Sequence, residues 1–245
     1  MPPRHLVRLD QLVVQKGWVE DQSKALALIM SGRVFYRNQS ARQGGILIET
    51  PELVTLQQIS PFVSRAGDKL NSALDFWKLD VKDLVALDIG ASTGGFTDCL
   101  LQRGVQKVYA LDVGKNLLDD RLRKDPRVII LDEVNVRFWD PNQLKEKPDF
   151  IVVDVSFISL SKILPTVWKA LPMGKEAVIL VKPQFEATPK QAPKGIVKDE
   201  AVRQELITQV TKTAIALSFI CAGTFDSPVK GTKGNRETFM YLKKK

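Results

Sequence analysis

The chain has 245 residues, 44% of them hydrophobic and 26% charged, with a formal net charge of +8. That length holds one full α/β domain plus a small extra module, and the composition is that of a folded chain rather than a disordered one. No apolar run approaches the roughly 18 residues of a membrane span, and Phe150–Leu160 is interrupted by Asp154. Two cysteines (Cys99, Cys221) and one histidine (His5) are too few for a disulfide framework, a metal cluster or a His-dependent nucleophile, so no metal is expected. MPPRHLVRLDQL lacks the apolar core of a signal peptide, and a reducing cytoplasm is the expected compartment.

The charge is unevenly placed. Residues 1–60 carry 7 basic and 5 acidic side chains, residues 61–181 carry 17 of each, and residues 182–245 carry 12 and 6. Basic ends around a neutral middle suit contact with a polyanion such as nucleic acid; a solubilising Lys243–Lys245 tail accounts for part of the excess.

From Leu6 to Gly45 the pattern is helical, with short amphipathic helices expected over Arg8–Lys16 and Ser23–Ser31. Gly17 and Gly32 stand where these should end. Short β segments, Val34–Tyr36 and Ile46–Glu49, follow with a Gly44–Gly45 turn between them. The core of this α+β unit is read as Leu9, Leu12, Val13, Ala25, Leu28 and Ile29, with Arg8, Lys24, Arg33, Arg37 and Arg42 on its polar side. The segment resembles the S4 RNA-binding module, R-L-D-x-L-L-V-x-x-G…S-R-x-x-A-x-x-L-I-x-x-G-x-V-x-V. It departs from that pattern at Lys24, where arginine is usual, and at Asn38-Gln39, where the turn is usually N-G. The resemblance implies RNA binding by those five cations and a domain spanning residues 1–60.

Beyond a linker at about 57–63, strands and helices alternate through residues 64–245. Strands are expected at Leu84–Asp88, Lys107–Asp112, Val128–Leu131, Phe150–Asp154 and Ala177–Lys182, with late ones near Phe219–Phe225 and Thr238–Leu242. Such alternation predicts a doubly wound, mostly parallel sheet of the Rossmann-like α/β class. The first strand runs into Asp88 and a turn containing Gly90, Ala91, Ser92, Gly94, Gly95 and Phe96 that opens a helix. Glycines allow close backbone approach to a ligand, and the helix start offers free N–H groups. The spacing is neither G-x-G-x-x-G nor a triphosphate loop. It resembles the S-adenosylmethionine (SAM) loop of class I methyltransferases, D-x-G-x-x-x-G-G-[FW], which implies that those residues bind the cofactor. Asp112, some 20 residues on at the end of the second strand, suits ribose hydroxyls; a solvated strand-end carboxylate is the other reading. Asn135 or its competitor Asp132 is placed for an adenine edge.

Asp154 and Lys182 close neighbouring apolar strands, and Pro183 stops the second of them. They face one crevice, either as catalytic groups or as a salt bridge capping the sheet. With Lys69 in VSRAGDKL and Glu237 in KGNRE they reproduce the K-D-K-E order of FtsJ/RrmJ-type 2′-O-ribose methyltransferases. The flanking motifs, DIGASTGGFTDCLLQ, NVR, DVSFISL, LVKPQFE and KGNRE, are most similar to the TlyA (haemolysin A-like) family. That resemblance covers nearly the whole chain. Departures are Ala66 and Asp68 in VSRAGDKL, where Asp68 adjoins Lys69, and GIVKDE for the commoner VVRD. The resemblance implies a SAM-dependent enzyme acting on ribosomal RNA or ribosomal subunits, with Arg65 joining the RNA-contacting set. Lys182 would remove the 2′-hydroxyl proton, or orient the hydroxyl while water accepts it. Base-methylating motifs such as D-P-P-Y are missing, which favours a ribose oxygen. The rival readings are a membrane-damaging protein, from the family's name, and a catalytically silent RNA-binding scaffold.

Overall fold

The computed structural model describes residues 6–56 and 60–245, so His5 and Gln57–Ile59 of the expected linker lie outside the described residues. The chain divides into two compact units, Met1–Ile59 and Ser60–Lys245. In the first, β1 (Val7–Arg8) leads into α1 (Leu9–Gln15), then α2 (Gln22–Met30). Helix α1 stops where Gly17 takes a φ of 68° and the Trp18 amide turns back to the Val13 carbonyl. Helix α2 starts one residue before the expected Ser23, because the Asp21 carboxylate accepts the Lys24 N–H and caps it. Leu9, Leu12, Val13, Ala25, Leu28 and Ile29 are buried in one cluster, the apolar faces that the helical spacing predicts.

Strands β2 (Val34–Tyr36), β3 (Gln39–Ser40), β4 (Leu47–Ile48) and β5 (Val54–Leu56) complete this unit. The two expected β segments do not share a sheet. Arg37 and Asn38 both adopt positive φ, so the chain reverses at once and β2 pairs with β3 on one side and β5 on the other. Strand β4 pairs instead with β1. Buried Asp10 accepts from Arg8 Nη2 at 2.7 Å, Gln22 Nε2 at 3.0 Å and the Gln11 amide at 2.8 Å. The Arg8 guanidinium beside it holds its carboxyl at about 2. Lys24 is likewise paired with Glu20, whereas Arg37 and Arg42 are exposed and Arg33 is half-buried.

The second unit runs α3 (Arg65–Trp77), β6 (Val85–Ile89), α4 (Gly95–Gln102), β7 (Lys107–Leu111), α5 (Asp120–Arg123), β8 (Val128–Leu131) and β9 (Phe150–Val153). It continues through α6 (Leu164–Ala170), β10 (Glu176–Val181), α7 (Pro183–Glu186), α8 (Glu200–Ala216), β11 (Phe219–Asp226) and β12 (Thr238–Lys244). Near-continuous apolar runs such as Phe150–Val153 suit strands covered on both faces. One core gathers Leu87, Ile89, Ile151, Val153 and Ile179 with Val167 of α6 and Val210 of α8. The other gathers Ala86, Val108, Val152 and Val178 with Leu70 of α3 and Leu100 of α4. The sheet order is β11-β12-β10-β9-β6-β7-β8, parallel from β8 to β10, with β12 antiparallel to both β10 and β11. Succession from β6 runs outward through β7 and β8, then returns to β9 on the other side. The carboxyl ends of β6 and β9 therefore flank the switch point, where open α/β sheets bind ligands. Cys99 is fully buried on α4, as core packing requires, and burial pushes its thiol up to about 12. Among the described residues no helix is long and apolar enough to cross a membrane.

Replacing Asp10 by Asn should cost about 2 kcal/mol of stability at pH 7. A carboxyl held at about 2 in the folded chain stabilises it above the unfolded value near 3.9 and stops doing so as the pH falls through 2. Urea melts should show the gap between wild type and Asp10→Asn narrowing from pH 4 downward.

Candidate active site

The site forms where β6, β7, β9 and β10 end. Backbone pairing sets their heights: the Asp154 amide donates to the Ile89 carbonyl, and the Gly90 amide to that of Leu111. Gly90 has a φ of 86°, and a Cβ there would lie 2.6 Å from the Asp154 carbonyl oxygen, so only glycine fits this crossing. A Cβ on Gly95 would meet Ser64 Oγ at 2.3 Å and the Gly67 amide at 2.9 Å. The start of α4 thus lies directly against the start of α3, which carries Lys69 to the sheet edge.

Two cavities adjoin there. The first, of about 380 Å³, is lined by Lys69, Asp154, Lys182 and Glu237 with Gly90, Ala91, Ser92, Gly95 and Phe96 of the turn, and by Arg65. The second, of about 440 Å³, is lined by Asp112 and Asn135 with Val113, Leu117, Val134 and Ile158. Gly90, Ser92, Asp154 and Ser156 belong to both walls.

Four of the five charged residues of the first cavity form two ion pairs, and the fifth, Arg65, is exposed at its wall. Lys182 Nζ lies 2.6 Å from Asp154 Oδ1 and donates to Ser156 Oγ at 2.9 Å. Lys69 Nζ lies 2.6 Å from Glu237 Oε2. Lys69 therefore takes its partner from a residue 168 positions away rather than from neighbouring Asp68. Removing one member of such a buried pair leaves an uncompensated charge, so each pair holds the other strand end or loop in place. A Cβ on Gly231 would sit 2.0 Å from Glu237 Oε1, so that carboxylate needs glycine beside it.

Glu237 is fixed from both sides. Arg203, 3% exposed on α8, donates to Asp226 Oδ1 at 2.9 Å and to Thr238 Oγ1 at 2.7 Å. Arg236 bridges Glu200 and Asp226. Buried Asn235 donates to the Gly195 carbonyl and accepts the Val197 N–H. On the cofactor-loop side, Asp112 Oδ2 accepts the Ser92 N–H and Oδ1 the Gly114 N–H, each at 2.8 Å.

Asp88 and Gly94 line neither cavity. Asp88 is fully buried beneath the turn, its Oδ2 accepting from Thr97 Oγ1 at 2.7 Å, and Oδ1 has no protein partner. Burial, reinforced by Asp154 and Asp112, pushes its carboxyl up to about 7. Gly94 holds a φ of 93° with its α-carbon against Leu118 and Leu122, so it shapes the turn. Asn135 lines the second cavity; Asp132 does not, and accepts the Asn116 N–H instead. Sequence reasoning passed over Ser156, Gly231, Arg203 and Asn235. Ser156, two residues beyond Asp154 in DVSF, was within reach of a motif reading; the others acquire their roles only through contacts between distant segments.

An open sheet of this order with a glycine turn, strand-end carboxylates and an adjoining apolar cavity defines a Rossmann-like methyltransferase fold. Residues 62–244 match the model of the FtsJ-like methyltransferase family, and the chain belongs to that family. It is 41% identical over 239 residues to YqxC of Bacillus subtilis, a candidate rRNA methyltransferase, covering 96% of this chain and 85% of that one. It is 36% identical over 239 residues to the 16S/23S rRNA (cytidine-2′-O)-methyltransferase TlyA of Mycobacterium tuberculosis, covering 96% and 89%. Among solved structures, a candidate hemolysin from Streptococcus thermophilus superposes with a TM-score of 0.77 at 38% identity, covering 99% and 90%.

Two outcomes follow from this geometry. Arg203→Ala should lower stability by about 1–2 kcal/mol, because Asp226 and Thr238 lose their buried donor at the root of the Glu237 segment while Arg236 still pairs with Asp226; thermal melts measure it. A carboxyl raised to about 7 favours the folded state below pH 4 and loses that contribution as the pH rises through 7. Asp88→Asn should therefore lose less stability than wild type between pH 4 and pH 7 in urea melts.

Proposed function

We propose that the chain transfers a methyl group from S-adenosylmethionine to a ribose 2′-hydroxyl of ribosomal RNA. The observation that carries this reading is the meeting of Lys69, Asp154, Lys182 and Glu237 in one cavity as two ion pairs, beside a second cavity suited to an adenosine. The residues present fit the cofactor. Gly90 and Ser92 of the turn line both cavities, and Ala91, Gly95 and Phe96 line the first. Asp112 is held by two amides yet keeps lone pairs for ribose hydroxyls, Asn135 offers amide groups to a base edge, and Val113, Leu117, Val134 and Ile158 supply apolar walls.

When bound, SAM supplies a methyl group already activated on a sulfonium. What the chain must add is alignment of the acceptor oxygen and a route for its proton. Lys182, steadied by Asp154 and Ser156, is placed to orient the hydroxyl while water accepts its proton, or to take that proton itself once its ammonium has released one to solvent. Lys69 and Glu237 pair beside it, and Arg65 adds a third cation to the two anions of the cavity. Phe157, 91% exposed with a φ of 64° and its ring 5.1 Å from that of Phe185, offers a surface on which an unstacked base can lie.

The first unit is read as an S4-like module whose exposed Arg37 and Arg42 meet phosphates without regard to sequence. The choice of rRNA as substrate rests on the names of the relatives, and the ribose oxygen also on the four charged residues. A protein acting on rRNA works in the cytoplasm.

Asp112→Ala should weaken SAM binding about tenfold or more in calorimetry, since it removes an acceptor shared by two hydroxyls. Lys182→Ala should lower single-turnover methylation of ribosomal subunits about 10²–10⁴-fold with SAM affinity little changed. Near-wild-type turnover by Lys182→Arg would assign the proton to water. Ribose-methylation mapping in cells without the gene tests the substrate: a map that loses no 2′-O-methyl site overturns it.

A further inference from the structure

Two loops beside the catalytic cavity are unusually basic. Residues 187–198 and 227–236 contain Lys190, Lys194, Lys198, Lys230, Lys233 and Arg236 and no acidic residue. The five lysines are exposed, and among the described residues none of them is in an ion pair. The loops are tied together: Asn235 bonds to Gly195 and Val197, and Lys233 Nζ donates to the Lys194 carbonyl at 3.2 Å. Both belong to the cavity's surroundings. Gly231 lines it two residues before Lys233, and Gln184, which leads into the other loop, reaches Glu237.

The backbone supplies an independent observation. Lys194 has φ 58° and ψ 20°, and Lys233 has φ 57° and ψ 17°. Each is followed by a glycine that also has positive φ, Gly195 and Gly234. Glycine or asparagine adopts the left-handed conformation at lower cost, so each of these matching turns carries its lysine at some cost in backbone strain. The distinguishing property of lysine is a long cationic side chain. Lys233 spends one of its three N–H donors on the Lys194 carbonyl and keeps two.

We propose that the paired Lys194-Gly195 and Lys233-Gly234 turns clamp the RNA phosphates flanking the nucleotide that enters the catalytic cavity. The proposal rests on the RNA-methyltransferase reading and adds to it a phosphate-binding surface on the catalytic unit. RNA is favoured over an anionic membrane because the turns border the cavity that takes the reacting ribose.

The test compares the full chain with the Lys194→Gln/Lys233→Gln and Lys194→Gly/Lys233→Gly double variants. The Gly pair removes the side chains together with the backbone strain and should melt no lower than the Gln pair. The probe is deproteinised 16S and 23S rRNA, titrated between about 0.05 and 1 M salt. Two lost phosphate contacts should flatten the slope of log affinity against log salt by about 1.4–1.8, equivalent to roughly 25- to 60-fold weaker binding at 0.1 M salt, with SAM affinity unaltered. Slopes matching wild type in both variants overturn the clamp. So does an unchanged RNA slope accompanied by lost binding to phosphatidylserine vesicles, which would assign the lysines to a membrane. Methylation of subunits from cells lacking the gene is scored separately. Wild-type protein that binds RNA through these lysines but methylates nothing supports the clamp and refutes the methyltransferase reading.

Discussion

Everything at the catalytic edge depends on how closely β6 and β9 approach at the switch point. Gly90 lets the turn pass the Asp154 carbonyl at a distance that no side chain permits. That crossing makes Gly90, Ser92, Asp154 and Ser156 a wall common to both cavities. A bulkier residue would separate the apolar compartment that suits a purine from the charged one that suits a ribose hydroxyl. The parallel sheet below is rigid because both faces are covered by packed helices, so the strand ends are presented at set heights.

Charge placement follows from the same constraint. Ions this deeply buried are costly alone, and the two ion pairs meet that cost by joining elements that the chain order keeps apart. Asp154 and Lys182 close adjacent strands, while Lys69 and Glu237 tie α3 to the segment before β12. Behind Glu237 a second network built on Arg203 and Asp226 fixes the root of that segment. The Glu237 carboxylate is thus held by structure that never touches the cavity. Preorganisation of this kind keeps donors and acceptors aimed before substrate arrives.

The proposed function divides recognition and chemistry between differently built parts. The proposed S4-like unit is a small helix pair with short strands, and two of its basic residues, Arg8 and Lys24, are already committed to Asp10 and Glu20. Its positive charge available to RNA is therefore smaller than its composition suggests. Among the described residues the five lysines of the two loops in the second unit are in no ion pair, while Arg236 pairs with Glu200 and Asp226, so unpaired positive charge is concentrated beside the first cavity.

Much of this was legible in the sequence. Apolar runs locate the seven strands of the large sheet to within about two residues, and the residues of the glycine turn and the K-D-K-E order largely line the first cavity of the candidate site. These signals are local or depend on chain order, and strand periodicity and backbone freedom at glycine are properties of short segments. Three-dimensional packing decided the rest. It sent Leu47–Ile48 to pair with β1, because β3 and β5 occupy the two edges of β2. It placed Asp88 under the turn rather than in a cavity, and gave Lys69 to Glu237 instead of Asp68. It also made Arg203, Asn235 and Gly231 supports of the site. Gly231 lies close along the chain to Glu237, but Arg203 and Asn235 act through contacts 23 to 40 positions apart, and no spacing rule along the chain encodes such contacts.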